Sequence, residues 1–488
     1  MKKVFAFIMT MCLLVGALSL LTFAVDTPAA DVVIRVSALK KDGSLEFIAD
    51  YTVHEEGWEA AIDLAEDHKT MRRNDYDRVV VDMYADWNAV NGEFTEHWLN
   101  GDGFNWDAIL VPEDVRVTLN LNGHTINRGL TEYELNGEVM FVDEDADIII
   151  NNGTITGGWS YNGAGGLHVD DGANVTLNNV HVVGNTVTND HGAAIALYDG
   201  STLTMNGGSL SNNVLNYLAD HYEDTKGTLY VDNSNAVLNE VAISDNRQTG
   251  ENVVRGSVVA MVGISKVTLN ACLVENHGRN DAVGTASMFY GDEKSELALV
   301  DCVIRNNGEW RSEHYWSSSA FDLDGKLTMT GCTVTGNEYF GMFQVALKDA
   351  TYDIEECIIT DNKAEMFGYE PYGRGNVFTF TNCQFNNNSS ERGNKPTFQS
   401  FVCREGLAAK VTFISCDLGD STFSQKRNFT FEDGSGIDSN QTSVGSLISD
   451  GSVPVIISLT ALIISLVALS LTIVQRKKMR SSTDADKE

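Results

Sequence analysis

Two stretches hold most of the side chains that could do chemistry. One is His168, Asp170 and Asp171; the other is Asp190-His191-Gly192. Carboxylates facing each other across a groove can act as acid and base in glycoside hydrolysis, so Asp170, Asp171, Asp190 and His191 are the candidate catalytic groups. A second set is purely acidic. Asp145, Asp171, Asp199, Asp232, Asp292, Asp324 and Asp349 each fall eight to ten residues before a recurring anchor position. Asp-Gly and Asp-Asn suit tight turns, which is the plainer account of these residues. If stacked, however, their charges would repel, and Asp171, Asp199 and Asp232 become candidate ligands for Ca²⁺. A third set is aromatic. Trp310, Tyr315 and Trp316 sit in the insertion Gly308 to Ser319 beside Arg311, Glu313 and His314. Such a loop either packs on the body of the protein or offers a platform for sugars or a protein partner. Tyr369 and Tyr372 could extend it.

All three sets hang on one repeat. In Gly192 to Asn213, two alternating runs are separated by Asp199-Gly200 and end at Asn212-Asn213, which is strand and turn grammar. Aligned on the residue after the second run, equivalent positions are Gly123, Gly153, Val180, Gly208, Val241, Cys272, Cys302, Cys332, Cys357, Cys383 and Cys416. The spacing between these eleven copies runs from 25 to 33 residues. A near-constant period without heptads predicts a solenoid, each copy being one coil of three short strands. With strands about 4.8 Å apart, eleven coils make a rod roughly 50 Å long. A β-sandwich would not return one residue type at one position in coil after coil.

The repeat, Gly-Gly-x-Ile, turn, Leu-x-Met-x-x-Gly-x-Ile-x-x-Asn, resembles the right-handed parallel β-helices of the pectin-lyase-like superfamily, in the branch of bacterial surface proteins. The resemblance covers about Leu110 to Asp417. It implies an all-β fold and leaves function open, because this fold hosts lyases, hydrolases, adhesins and spacers. Polygalacturonase-like relatives carry three clustered aspartates, a His-Gly and an Arg-x-Lys. The exterior part of this chain has no Asn-Thr-Asp, Gly-Asp-Asp or Arg-x-Lys. The basic residues that lyases use beside a uronate are also missing from the sequence pattern.

Stacked strands place equivalent side chains in columns. The six anchor cysteines should form an inward ladder of free thiols, with Cys403 apart. No Cys-x-x-Cys and no interleaved histidine points to a metal there. Unpaired thiols in an exported chain fit a bacterium in a reducing habitat. Asn185, Asn213, Asn246, Asn307, Asn337, Asn362 and Asn388 lie five residues after their anchors and should form an amide ladder.

The rest of the chain divides by composition. Residues 1–24 read as a signal peptide: Lys2 and Lys3, an apolar run, then small residues. Residues 25–109 form a mixed α/β cap, with a helix over Gly57 to His68 and a strand over Arg78 to Trp87. Such a cap covers the open end of the solenoid, and its tryptophans should be core. The β-helix spans 110–422 and a flexible linker 423–452. Val453 to Val474 is an uncharged apolar run of 22 residues, long enough to cross a bilayer. Arg476, Lys477, Lys478 and Arg480 follow it, which makes 475–488 a cytoplasmic tail.

The net charge of −34 disfavours nucleic acid and polyanionic glycans as partners. The expectation is a monomeric, single-pass protein of the cell membrane with its body outside. It would be non-catalytic and bind glycans or a surface protein, needing no cofactor beyond a weakly held Ca²⁺. The alternatives are a carbohydrate-active enzyme, either lyase or hydrolase, and a plain spacer.

Overall fold

A computed structural model describes residues 28–88, 97–98, 105–106, 109–217, 224–250, 254–278, 287–308, 319–344, 349–367, 375–389, 410–423 and 429–435. The signal peptide, the apolar run Val453 to Val474, the tail and most of the linker lie outside these residues. So do Trp310, Tyr315, Trp316, Tyr369 and Tyr372. Among the described residues no helix is long and apolar enough to cross a membrane.

From Ile109 onward the chain winds as a parallel β-helix with three long walls and, between the third and the first, a four-stranded parallel sheet from Trp159–Ser160 to Arg247–Gly250. The first wall runs from Ile109–Val111 to Lys363–Phe367 and holds ten strands among the described residues. The repeat alignment anticipates eleven copies; the residues that precede the eleventh anchor, 390–409, lie outside the described set. The second wall begins at Arg116–Asn120, and the third at Thr125–Asn127. Each wall pairs coil to coil in parallel register, as in Leu167↔Ile195, Leu177↔Met205 and Val182↔Leu210.

The sequence sets the corners. Asp171-Gly172 has φ of 38° and 79°, and Asp199-Gly200 has 44° and 89°. Two successive left-handed residues make the tight turn that Asp-Gly favours, and it joins the first wall to the second. A single left-handed residue stands just before each anchor, for example Asn152, Asn179 and Asp301 at 52–53°. Another stands before each ladder position, such as Asn212 and Asn306 at 56°. Asparagine and aspartate tolerate this region better than other side chains, which explains their abundance here.

Inside, alternate residues of each strand meet in one apolar core. The first wall contributes Met140 and Val142, Leu167 and Val169, Ile195 and Leu197, and so on upward. Later coils fill the core with stacked rings: Phe289 on Phe321 at 5.1 Å, and Phe321 on Phe343 at 5.5 Å. The cysteine column forms as expected. All six thiols are free and buried, and the Sγ atoms of Cys272, Cys302, Cys332, Cys383 and Cys416 donate to carbonyls of the coil below, Cys302 to Leu269 O at 3.3 Å and Cys416 to Phe380 O at 3.2 Å.

The asparagine ladder also forms, with one substitution. Asn337 Nδ2 donates to Asn362 Oδ1 at 2.9 Å and to Ile304 O at 2.9 Å. The run Asn185–Asn213–Asn246 is linked the same way. Between Asn246 and Asn307 the position belongs to His277. Its backbone N–H donates to Asn307 Oδ1 at 3.1 Å, and its Nε2 meets Ile243 O at 3.0 Å, where an asparagine amide would be.

The cap is built from β1 (Ile34–Lys40), β2 (Leu45–Tyr51), α1 (His54–Glu66), α2 (His68–Arg73) and β3 (Tyr76–Met83). β3 pairs in parallel with the first strand of the second wall, Val79 opposite Val117, so the cap continues the solenoid. Trp58 is buried, and its Nε1 donates to Leu110 O at 3.1 Å, tying α1 to the first coil. Trp87 is buried and stacks on His54 at 5.4 Å. Both are core, as expected. At the other end the stretch read as linker from 423 starts with ordered packing. Phe429–Glu432 is a strand paired with Lys410–Ile414, and Phe431 stacks on Phe413 at 5.5 Å. The alternating Phe429 and Phe431 give it an apolar side that the surrounding Ser and Gly conceal in composition alone.

Candidate functional site

The first wall buries one face in the core; its other face points away from the core but is partly covered, with Phe141, Ala196, Tyr230 and Ala260 buried. On its outward face, register gives two rows that run along the solenoid axis. The inner row reads Phe141, His168, Ala196, Tyr230, Ala260, Tyr290 from coil to coil. Two residues further along each strand, the outer row reads Asp143, Asp170, Tyr198, Asp232, Val262, Asp292. The pairing Asp232↔Val262 and the hydrogen bonds Asp170 N to Val142 O and Tyr198 N to Val169 O fix this row.

Rings connect most of this surface. Phe141 lies 4.8 Å from His168, His168 lies 4.9 Å from Tyr198, and Tyr198 lies 5.6 Å from Tyr230. His191 stacks on Tyr230 at 4.1 Å. It reaches there because Gly192 (φ 71°) brings the rim segment down onto Ala196; a Cβ on Gly192 would stand 2.7 Å from that of Ala196. The small rung thus admits the rim, and the rim carries its histidine onto the next tyrosine.

Tyr198 is the centre of the cluster. Burial raises its hydroxyl well above the usual tyrosine range, and the charges of Asp190, Asp170 and Asp232 add to that. The carboxylates around it differ. His168, with Nε2 at 3.7 Å, holds Asp170 below the ordinary carboxylate range. Burial pushes Asp190 up, but His191 Nδ1 at 2.5 Å and the Gly163 N–H at 2.8 Å outweigh it, so Asp190 is lowered. Asp171 is raised, chiefly by the charge of Asp170. Asp232 is raised by burial and then by Asp199. Beneath the rim lies Glu138, only 1% exposed, its carboxyl raised by burial. Ser160 Oγ donates to its Oε2 at 3.2 Å, while Glu138 Oε1 and His168 Nδ1 are buried without a hydrogen-bond partner.

Of the candidate catalytic residues, Asp170 and Asp190 both act on the Tyr198 hydroxyl, and His191 pairs with Asp190 and stacks on Tyr230. Asp171 faces the neighbouring turn instead. The candidate cation ligands are rearranged. Asp170, Asp171 and Asp199 bring one oxygen each within 4.8 Å of one another, a set that could hold a hard cation. Asp232 is not part of it. The acidic column is two rows: Asp171 and Asp199 occupy turns, whereas Asp232 lies in the outward row with Asp170. The turn at Asp199 is registered on Asn233, because the Asp199 N–H bonds Asp232 O and the Gly200 N–H bonds Asn233 O. The corner after Asp232 is one residue shorter than the corner after Tyr198, since Leu197 pairs with Val231 but Thr202 with Asn235, and counting from a distant anchor hides that shift.

Sequence reasoning missed Tyr198, Tyr230 and Glu138. A signal for the tyrosines existed in His168-x-Asp170, Tyr230-x-Asp232 and Tyr290-x-Asp292, a ring two residues before an aspartate in the same strand. The insertion holding Trp310, Tyr315 and Trp316 lies outside the described residues; its C-terminal end leads into the first-wall strand Ser319–Leu323.

Residues 281–418 match the family model of a right handed beta helix region. No curated protein and no solved structure matches the chain.

Proposed function

Taking the chain as a right-handed parallel β-helix repeat protein, we propose that it is a membrane-anchored surface protein whose first wall binds glycan chains. One observation carries this reading: partly exposed His168 and Tyr198, joined to the buried rings of Phe141 and Tyr230, lie beside the partly exposed carboxylates Asp170 and Asp232. Rings offer flat apolar area to sugar faces, and carboxylates accept hydrogen bonds from hydroxyls. The closed solenoid pairs the backbone of this wall on both sides, so recognition falls to side chains. The apolar run Val453 to Val474 with its basic flank supports anchoring and an exterior body. A glycan array probed with the full chain in detergent tests the binding. Tyr198→Ala should abolish it while leaving the melting temperature within a few degrees; unchanged binding would remove the wall from the account.

A second reading is glycoside hydrolysis at the same place. It is favoured by the neighbouring carboxylates Asp170 and Asp171, whose environments push their proton affinities in opposite directions, the arrangement that separates base from acid. Release of reducing sugar from bound glycans, lost in Asp170→Asn, would establish it. Binding without release leaves the wall a binding face.

A further inference from the structure

Glu138 stands where the next coils place nothing larger than serine. The register of the first wall carries its position through Gly165, Ala193, Gly227, Ser257 and Ser287. Only Glu138 in this column is charged, and it is 1% exposed. A buried carboxylate is costly unless something pairs with it. Ser160 Oγ donates to Oε2 at 3.2 Å, but Oε1 has no hydrogen-bond partner. The Arg128 guanidinium beside it is engaged by the loop, donating to the carbonyls of Asn136 and Glu138 and to the Glu134 carboxylate.

One coil further on, His168 Nδ1 is also buried without a partner. A single rim turn covers both groups. Ser160 Oγ donates to Glu138 Oε2 and to Asn162 O, and Gly163 stands over the imidazole. A Cβ on Gly163 would lie 2.4 Å from Nδ1, and its three nearest atoms would all belong to the imidazole. The glycine therefore leaves open the position in front of that nitrogen. Burial raises the Glu138 carboxyl and the charge of His168 pulls it back, so the two groups sense each other beneath the turn. On the far side of the ring, Nε2 lies 3.7 Å from Asp170 Oδ2. With the Nε2 proton toward Asp170, Nδ1 presents a lone pair. A carboxylate oxygen and an imidazole nitrogen, both acceptors, then share one covered space, and neither satisfies the other.

We infer that Glu138 and His168 Nδ1 are ligands of a buried divalent metal of the zinc type, with oxygens of the Ser160–Asn162 turn completing the set. A carboxylate on the other nitrogen, here Asp170, is the partner that orients a metal-binding histidine and makes it a better donor. Mixed imidazole and carboxylate donors suit Zn²⁺, whereas Ca²⁺ takes oxygen ligands. The site is separate from the all-oxygen set Asp170, Asp171 and Asp199, two of whose members are exposed turn residues. It goes beyond the glycan reading and stands whether or not a glycan binds.

The test is calorimetric titration of the full chain in detergent with Zn²⁺, after treatment with a chelator. Glu138→Gln and His168→Gln should each weaken binding at least about a hundredfold, and Asp170→Asn about tenfold or more. Asp171→Asn/Asp199→Asn should leave it unchanged. In the native chain Zn²⁺ should slow deuterium exchange at the imidazole C2 carbon of His168, read by mass spectrometry, and not at exposed His181. That readout requires no variant to fold. Zn²⁺ affinity kept in Glu138→Gln, or lost in Asp171→Asn/Asp199→Asn, would put the ion on the exposed aspartates and overturn the inference. A native chain that takes up no Zn²⁺, with His168 exchange unchanged, would overturn it as well and leave a water or a shared proton between the two groups.

Discussion

The interior columns and the outward face of the first wall are built from the same coils but follow different rules. Inside, one residue type serves rung after rung: cysteine from 272 to 416, asparagine from 185 to 388 with one histidine among them. On the opposite face, residue type changes from coil to coil: Phe141, His168, Ala196, Tyr230, Ala260 and Tyr290 in one row, carboxylates with a tyrosine and a valine in the other. Interior positions are fixed by the rungs above and below, which want the same shape and the same hydrogen bonds. The opposite face packs instead against rim segments that differ from coil to coil, as Gly192 on Ala196 and His191 on Tyr230 show. Uniform columns therefore report on coil-to-coil stacking, and the varied rows report on what each coil packs against locally.

This contrast can be broken first at the ladder. Asn337→Ala would leave Ile304 O and the Asn307 N–H buried without their partner. The expected loss is on the order of 4 kcal/mol, seen as a lower denaturant midpoint. A change under about 1 kcal/mol would mean the ladder is decoration.

The second case is the rung where uniformity fails. Burial holds His277 down to about 4, and its charged form has no place in the ladder. An unfolded histidine takes its proton near 6.5, so the folded state is full-strength above that pH and weakens as the pH falls from about 6.5 toward 4. His277→Asn should raise stability at pH 5 by about 2 kcal/mol relative to its effect at pH 8. Parallel pH dependence in the two proteins would contradict this.

Cysteine tests packing alone. Cys332→Ala removes one sulfur from the column and should cost about 1 kcal/mol, with glycan binding unchanged. The native thiols at 272 to 416 should resist Ellman's reagent until denaturant is added, since all are buried.

The outward row should behave in the opposite way. Asp232 is raised in the fold by burial, so its ionised form works against stability above the unfolded carboxylate range. Asp232→Asn should raise stability at pH 7 by a few tenths of a kcal/mol, and the gain should vanish below about pH 4. A clear loss of stability would class Asp232 with the interior columns.

The same contrast explains what could be read from the chain. Cysteine and asparagine columns are legible because their positions sit at fixed distances from the anchor, with little room for a turn to grow in between. His277 is not legible by residue type, since only its Nε2 imitates the asparagine amide. The acidic residues fall on the far side of the Asp-Gly corner. One residue lost from the corner after the first wall moves Asp232 out of the turn row and into the outward row. Tyr198 and Tyr230 look like ordinary strand residues, and only register shows that they share a face with His168 and Asp170. The cap was legible at Trp58 because Trp58, Ala61, Ile62 and Ala65 fall on one helical face, and all four are buried.

Carbodiimide labelling of the full chain, read by mass spectrometry with and without a glycan oligomer found to bind on the array, tests the central claim most directly. Bound oligomer should protect Asp170, Asp190 and Asp232 and leave cap carboxylates such as Asp63 and Glu66 labelled as before. Protection at the cap or along other walls, with Asp170 and Asp232 still fully reactive, would contradict the assignment of the first wall as the binding face.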